Sequence, residues 1–205
     1  MNSAPACLAL ADPAPETVNS KPTHAVGEAT PADGIRILAA ASEILSQGEL
    51  LLSSVPACVY ATKLPVTFQS SIGGHYRHGL DHFSSVLAGL ATGLVDYENR
   101  QRDSRIENEP DYALALTRRL RAELAEIDPS ALWTPVTTRC EVSYSRGPSA
   151  LTASTLGREL VYVVAHAIHH YALISVMTRL QNVELPPSFG VAPSTLAHQQ
   201  ALADG

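Results

Sequence analysis

The sequence predicts an all-α fold: a four-helix bundle with a small β-hairpin inserted before the last helix. Three observations carry this. Four segments space their apolar residues three and four apart, as one face of a helix requires. Each is closed by capping residues, proline or glycine. One stretch, residues 132–154, is instead rich in β-branched residues around a turn.

The first helix lies within PADGIRILAAASEILSQGELLLSSVP, residues 31–56. Ile35, Leu38, Ile44, Leu45, Leu51 and Leu52 form its stripe, Asp33 can cap it, and Pro56 follows its end. Residues 57–69 are too short and punctuated for a helix and read as an irregular connection. The second helix occupies SSIGGHYRHGLDHFSSVLAGLATG, residues 70–93, from an N-cap at Ser70 or Ser71 to a stop at Gly93. Residues 94–109 carry dense charge without a period and read as a loop. The third helix, residues 110–128, opens on Pro110 and carries Leu114, Leu116, Leu120 and Leu124. Val136, Thr137, Thr138, Cys140, Val142 and Tyr144 favour a strand, with SRGPS as the hairpin turn. Residues 155–183 form the fourth and longest helix.

The domain is therefore expected over residues 31–185, between a disordered Pro/Ala-rich lead-in (1–30) and a C-terminal tail (186–205) that wraps the surface. With 205 residues, 45% of them hydrophobic, the chain can bury a substantial core. A net charge of −6 argues against nucleic acid and against an anionic membrane surface. No continuous apolar run reaches the roughly 18 residues needed to span a bilayer. The N-terminus lacks the basic region of a secretion signal. Three widely spaced cysteines, Cys7, Cys58 and Cys140, predict no disulfide framework and fit a reducing, cytoplasmic setting.

Six of the eight histidines fall in two clusters: His75, His78 and His82 on the second helix, and His166, His169 and His170 on the fourth. His24 and His198 lie in the expected tails. Residues four apart on a helix point the same way, so the imidazoles of His166 and His170 can converge on one ion. They share a stripe with Val163, Leu173 and Met177, whereas His169 is rotated by roughly 100° and faces elsewhere. Buried imidazoles need partners, and a metal is one way to satisfy them. The second helix can supply a third nitrogen from His75, His78 or His82. Three nitrogen ligands with an open position is the pattern of a catalytic zinc site. The rival reading is a polar seam of hydrogen-bonded histidines.

SSIGGHYRHGLDHF, VDYENRQRDSRIE and LGRELVYVVAHAIHHYALI together resemble the DinB-like (YfiT-like) superfamily of metal-dependent enzymes, over roughly residues 32–183. The resemblance implies a four-helix bundle of DinB type with a three-histidine site. Its HxxxH pair falls on His166 and His170. Its helix-two ligand, in a His-x-x-acid pattern, falls on His78 of HGLD with Asp81 as the acid. His75 is the runner-up and His82 a neighbour rather than a ligand. After the second histidine of the pair the family has RGQ, where this chain has YAL. The resemblance further implies a homodimer.

Three neutral imidazoles leave a divalent charge uncompensated, which favours an anionic ligand such as hydroxide, thiolate or carboxylate. The expected activity is a metal-dependent transferase or hydrolase that activates a thiol or water against a small-molecule substrate. The alternative is a non-catalytic metal- or ligand-binding bundle. Zinc is the first expectation, with nickel, copper and iron also suited to imidazole. Tyr97, Arg100, Arg102 and Arg105 in the charged loop are candidate substrate contacts, because arginine grips carboxylate or phosphate through two parallel N–H groups. Internal salt bridges in a solvated loop are the competing reading. Glu159, seven residues before His166, can orient a ligand or act as a base, but a helix N-terminal acid is the simpler account.

Overall fold

The computed structural model describes residues 29–204 apart from Phe68 and Arg146. The expected disordered lead-in lies almost wholly outside the described residues, as do His24 and Cys7. The chain is mainly helical, but it is not all-α. Its order is α1 (Pro31–Ser54), α2 (Ala57–Ala61), α3 (Ile72–Thr92), β1 (Leu94–Asp96), α4 (Ser104–Asn108), α5 (Pro110–Ala125), β2 (Pro135–Cys140), β3 (Ala150–Thr155), α6 (Leu156–Leu180) and α7 (Pro193–Ala203).

Four long helices close a ring of packing contacts: α1 on α5 and α6, and α3 on α5 and α6. Leu45, Leu51, Ile72, Tyr76, Leu80, Phe83, Leu120, Leu124, Leu160, Val163 and Ile174 form the shared core, each nearly inaccessible to water. α6 is long and apolar enough to cross a membrane on those criteria alone. Here its buried residues Leu160, Val163, Ala167, Tyr171 and Ile174 belong to this core.

Local chemistry sets the helix ends. Thr30, not Asp33, caps α1: its hydroxyl accepts from the Asp33 N–H, and the Asp33 carboxylate returns a bond to the Thr30 N–H, a reciprocal capping box. Ser71 caps α3 by accepting from the Gly74 N–H at 2.9 Å. Gly93 ends α3 in the left-handed region, φ 69°, where a side chain would be strained.

The expected hairpin is present as β2 and β3, with Val142 and Tyr144 in the exposed connection rather than in the strand. Its strands are antiparallel with Thr138 opposite Thr152, the two hydroxyls 2.6 Å apart. A third strand comes from the segment read as loop. β1 lies parallel to β2, Val95 opposite Thr138, and Val95 is fully buried. Three residues are too few to display an alternation, so this strand exists only because β2 offers it an edge. The same segment holds α4, whose Ile106 is buried and whose backbone carbonyl accepts from the Tyr60 hydroxyl at 2.7 Å. That bond ties α4 to α2, a five-residue helix in the stretch read as irregular. The tail carries α7, and its Phe189 stacks on Tyr171 with ring centroids 5.0 Å apart.

Candidate metal centre

The α3–α6 pairing brings both histidine clusters together. His78, His82, His166 and His170 form a group of four imidazoles. Ring centroids are 4.5 Å apart for His78–His82 and His82–His166, 4.6 Å for His166–His170 and 4.7 Å for His78–His170. His166 Nε2 lies 2.9 Å from His78 Nε2 and 3.2 Å from His170 Nε2. The ring nitrogens of His78, His82 and His166 also lie within 4.8 Å of one another, so these three could hold a metal ion. His169 is exposed on the outer side of His170, and His198 is exposed on α7.

The histidines do not sit in the centre of the buried face of α6. That face keeps Val163 and Met177 of the predicted stripe but runs between them through Ala167, Tyr171 and Ile174, each one residue on from His166, His170 and Leu173. His166 and His170 occupy its half-buried shoulder, as His78 does on α3. This keeps the ring nitrogens out of bulk water yet reachable from it.

Burial first, then the repulsion that a proton on one ring would feel from the crowded neighbouring rings and, at His78, from Arg100, holds these imidazoles neutral. The His78 pKa is pushed down to about 2 and that of His170 to about 3. His82 falls to about 4, and His166 is lowered as well. Neutral imidazoles keep a lone pair, which a metal needs.

Outer contacts fix the rings. His82 Nδ1 lies 2.8 Å from the His78 carbonyl, which can only accept, so Nδ1 carries the proton and Nε2 the lone pair. His82 also stacks on Tyr97, whose hydroxyl donates to Glu159 at 2.7 Å. His170 Nδ1 faces His75 Nδ1 at 3.0 Å, while the buried Nε2 of His75 has no partner among the described residues. Arg100 donates to His78 Nδ1 at 2.6 Å. Asp81, the acid of HGLD, is buried and accepts from Arg77 at 2.9 Å, away from any histidine ring nitrogen.

The other expected contacts separate. Tyr97 is 6% exposed and anchors on Glu159 rather than facing solvent. Arg102 is exposed with φ 50°. Arg105 pairs with Asp103 at 2.7 Å and lies over the Tyr112 ring. Of these, Arg100 bonds His78 and Tyr97 stacks on His82, whereas Arg102 and Arg105 stay away from the histidines. Glu159 is the expected acid in the first turn of α6, but it is also buried, 2% exposed, and accepts from Tyr97, Ser154 and Arg158.

The place of His82 inside the group was legible in principle. His78 and His82 are themselves an HxxxH pair, facing the His166–His170 pair across the helix contact.

No family model matches the chain, and no solved structure matches it. A curated protein similar to part of it is FK506-binding protein 5 of Rhizopus delemar, 32% identical over 118 residues, or 57% of this chain. The match covers 31% of that protein, so the chain spans about a third of the length of the relative it matches. The resemblance to the DinB-like superfamily is thereby corrected: a short His-x-x-acid motif and one HxxxH pair recur wherever two amphipathic helices present histidines, and they do not define a lineage.

Proposed function

We propose that this protein binds a divalent cation through His78, His166 and His170, in a mainly helical bundle, and uses it on a small-molecule substrate. One observation carries the reading. Two Nε2–Nε2 separations, 2.9 and 3.2 Å, centre on His166. Nitrogens bound at about 2.05 Å in tetrahedral geometry lie about 3.3 Å apart, so the spacing suits ligands to one ion. Hydrogen bonding alone serves the group poorly. Arg100 makes His78 Nδ1 an acceptor, so neutral His78 carries its proton on Nε2 and donates to His166. The single lone pair of His166 Nε2 then faces His170 as well.

Zinc fits this all-nitrogen donor set, and nickel or iron are the competing ions. A divalent ion held by three neutral imidazoles lowers the pKa of a bound water or thiol, the chemistry of a hydrolase or a thiol transferase. The chain's own residues hold the rings: the His78 carbonyl fixes the His82 tautomer, and Tyr97 limits its rotation.

Metal analysis of protein purified without a histidine tag tests the reading. Near one equivalent of metal is expected, falling to a small fraction in His166→Ala and His170→Ala. Retention of full metal by both variants, or no uptake by the wild type from zinc, nickel or iron, rejects it. His82→Ala distinguishes a fourth imidazole from a ligand, because it lowers occupancy as far as His78→Ala only if it coordinates.

A further inference from the structure

Resting on the metal site above, we propose that metal and a small oxyanion bind this protein cooperatively, with Arg100 as the switch between His78 and the anion. The argument begins with donors and acceptors. A guanidinium has only N–H groups to offer, so its 2.6 Å contact with His78 Nδ1 requires a lone pair there. Neutral His78 then holds its one proton on Nε2, the atom that a metal needs bare. Coordination through Nε2 moves that proton to Nδ1, where it meets an Arg100 N–H, donor against donor. Arg100 must leave His78 for the metal to stay.

The carboxylate that attracts Arg100 most, Asp81, already accepts from Arg77 at 2.9 Å. No carboxylate lies within 4.0 Å of Arg100 among the described residues. Its Nε is already buried without a partner. Arg100 also lines a cavity of about 490 Å³ between α3, the β1–α4 connection and α5. Three carboxylates line that cavity, and each is engaged by another arginine: Asp81 by Arg77 at 2.9 Å, Asp96 by Arg139 at 3.1 Å and Asp103 by Arg105 at 2.7 Å. Arg100 feels the field of Asp81 but is the arginine of this lining without a carboxylate bonded to it, at the boundary of cavity and histidines. A forked oxyanion, carboxylate or sulfate-like, matches its planar N–H pair. Such an anion draws Arg100 off His78 and frees Nε2 for the metal; by linkage the metal raises anion affinity by the same factor.

Cobalt(II) titration of the full chain, followed by visible absorption, tests this with acetate and sulfate as probes. Saturating acetate or sulfate is expected to tighten cobalt binding to the wild type by about tenfold, within the usual range of coupling between sites; the more effective probe identifies the anion class. R100Q, checked for an unchanged thermal midpoint, is expected to bind cobalt without anion at least as tightly as the wild type does, and to lose the anion effect. An anion effect of undiminished size in R100Q, or weaker anion-free cobalt binding by a folded R100Q, overturns the proposal. Cobalt binding by the wild type that neither anion alters overturns it too and leaves the metal site standing. No cobalt spectrum under any condition sinks both.

Discussion

Glu159→Ala tests how the histidine face is braced. Glu159 is 2% exposed, and its carboxylate accepts from the Tyr97 hydroxyl at 2.7 Å, the Ser154 hydroxyl at 2.5 Å and Arg158 at 2.9 Å. The Arg158 side chain is 66% exposed, so water solvates it when the carboxylate goes. The two hydroxyls fare differently. Tyr97 is 6% exposed and Ser154 half-buried, and each loses its charged acceptor. An unsatisfied buried hydroxyl costs about 1–3 kcal/mol, so we expect about 2–4 kcal/mol for the pair. In a domain of this size that lowers Tm by about 5–15 °C. Tyr97→Phe should cost less, about 1–2 kcal/mol, because the carboxylate keeps Ser154 and Arg158 while the ring stays against His82. Calorimetry and urea unfolding of both variants measure the difference. Glu159→Ala within about 0.5 kcal/mol of the wild type, the scatter of ordinary surface changes, would refute the bracing role.

Gly48→Ala places a Cβ 2.5 Å from the Tyr171 hydroxyl oxygen and still closer to that of Tyr76, both on buried rings. We expect a loss of about 1–3 kcal/mol from overpacking, read from the urea midpoint; an unchanged midpoint contradicts the close approach of α1 to these tyrosines. Acid should destabilise the metal-free protein early. His78, His82, His166 and His170 are all depressed below their ordinary value by burial, so from about pH 6.5 down to about pH 2 the unfolded chain binds protons that the folded chain refuses. Stability is then full above about pH 6.5 and falls as pH drops through that window. Urea midpoints of chelator-treated protein check it, and a midpoint level from pH 7 to pH 5 speaks against neutral buried imidazoles.

Part of this fold follows from local rules alone. Apolar spacing, Ser71, Gly93 and Pro110 located the long helices, and i,i+4 spacing put His166 and His170 on one face, with His169 outside it. Tertiary structure decided the rest. β1 is three residues long and α4 five, too short for a period, and they form because β2 supplies an edge and Tyr60 a hydrogen bond. Which imidazoles meet depends on the rotation of α3 against α6, a packing outcome that brought His82 in and set His75 behind His170. Composition could not separate Arg100 from Arg102 and Arg105, since charge alone carries no direction. The fold pairs Arg105 with its own loop, leaves Arg102 in solvent and turns Arg100 onto His78.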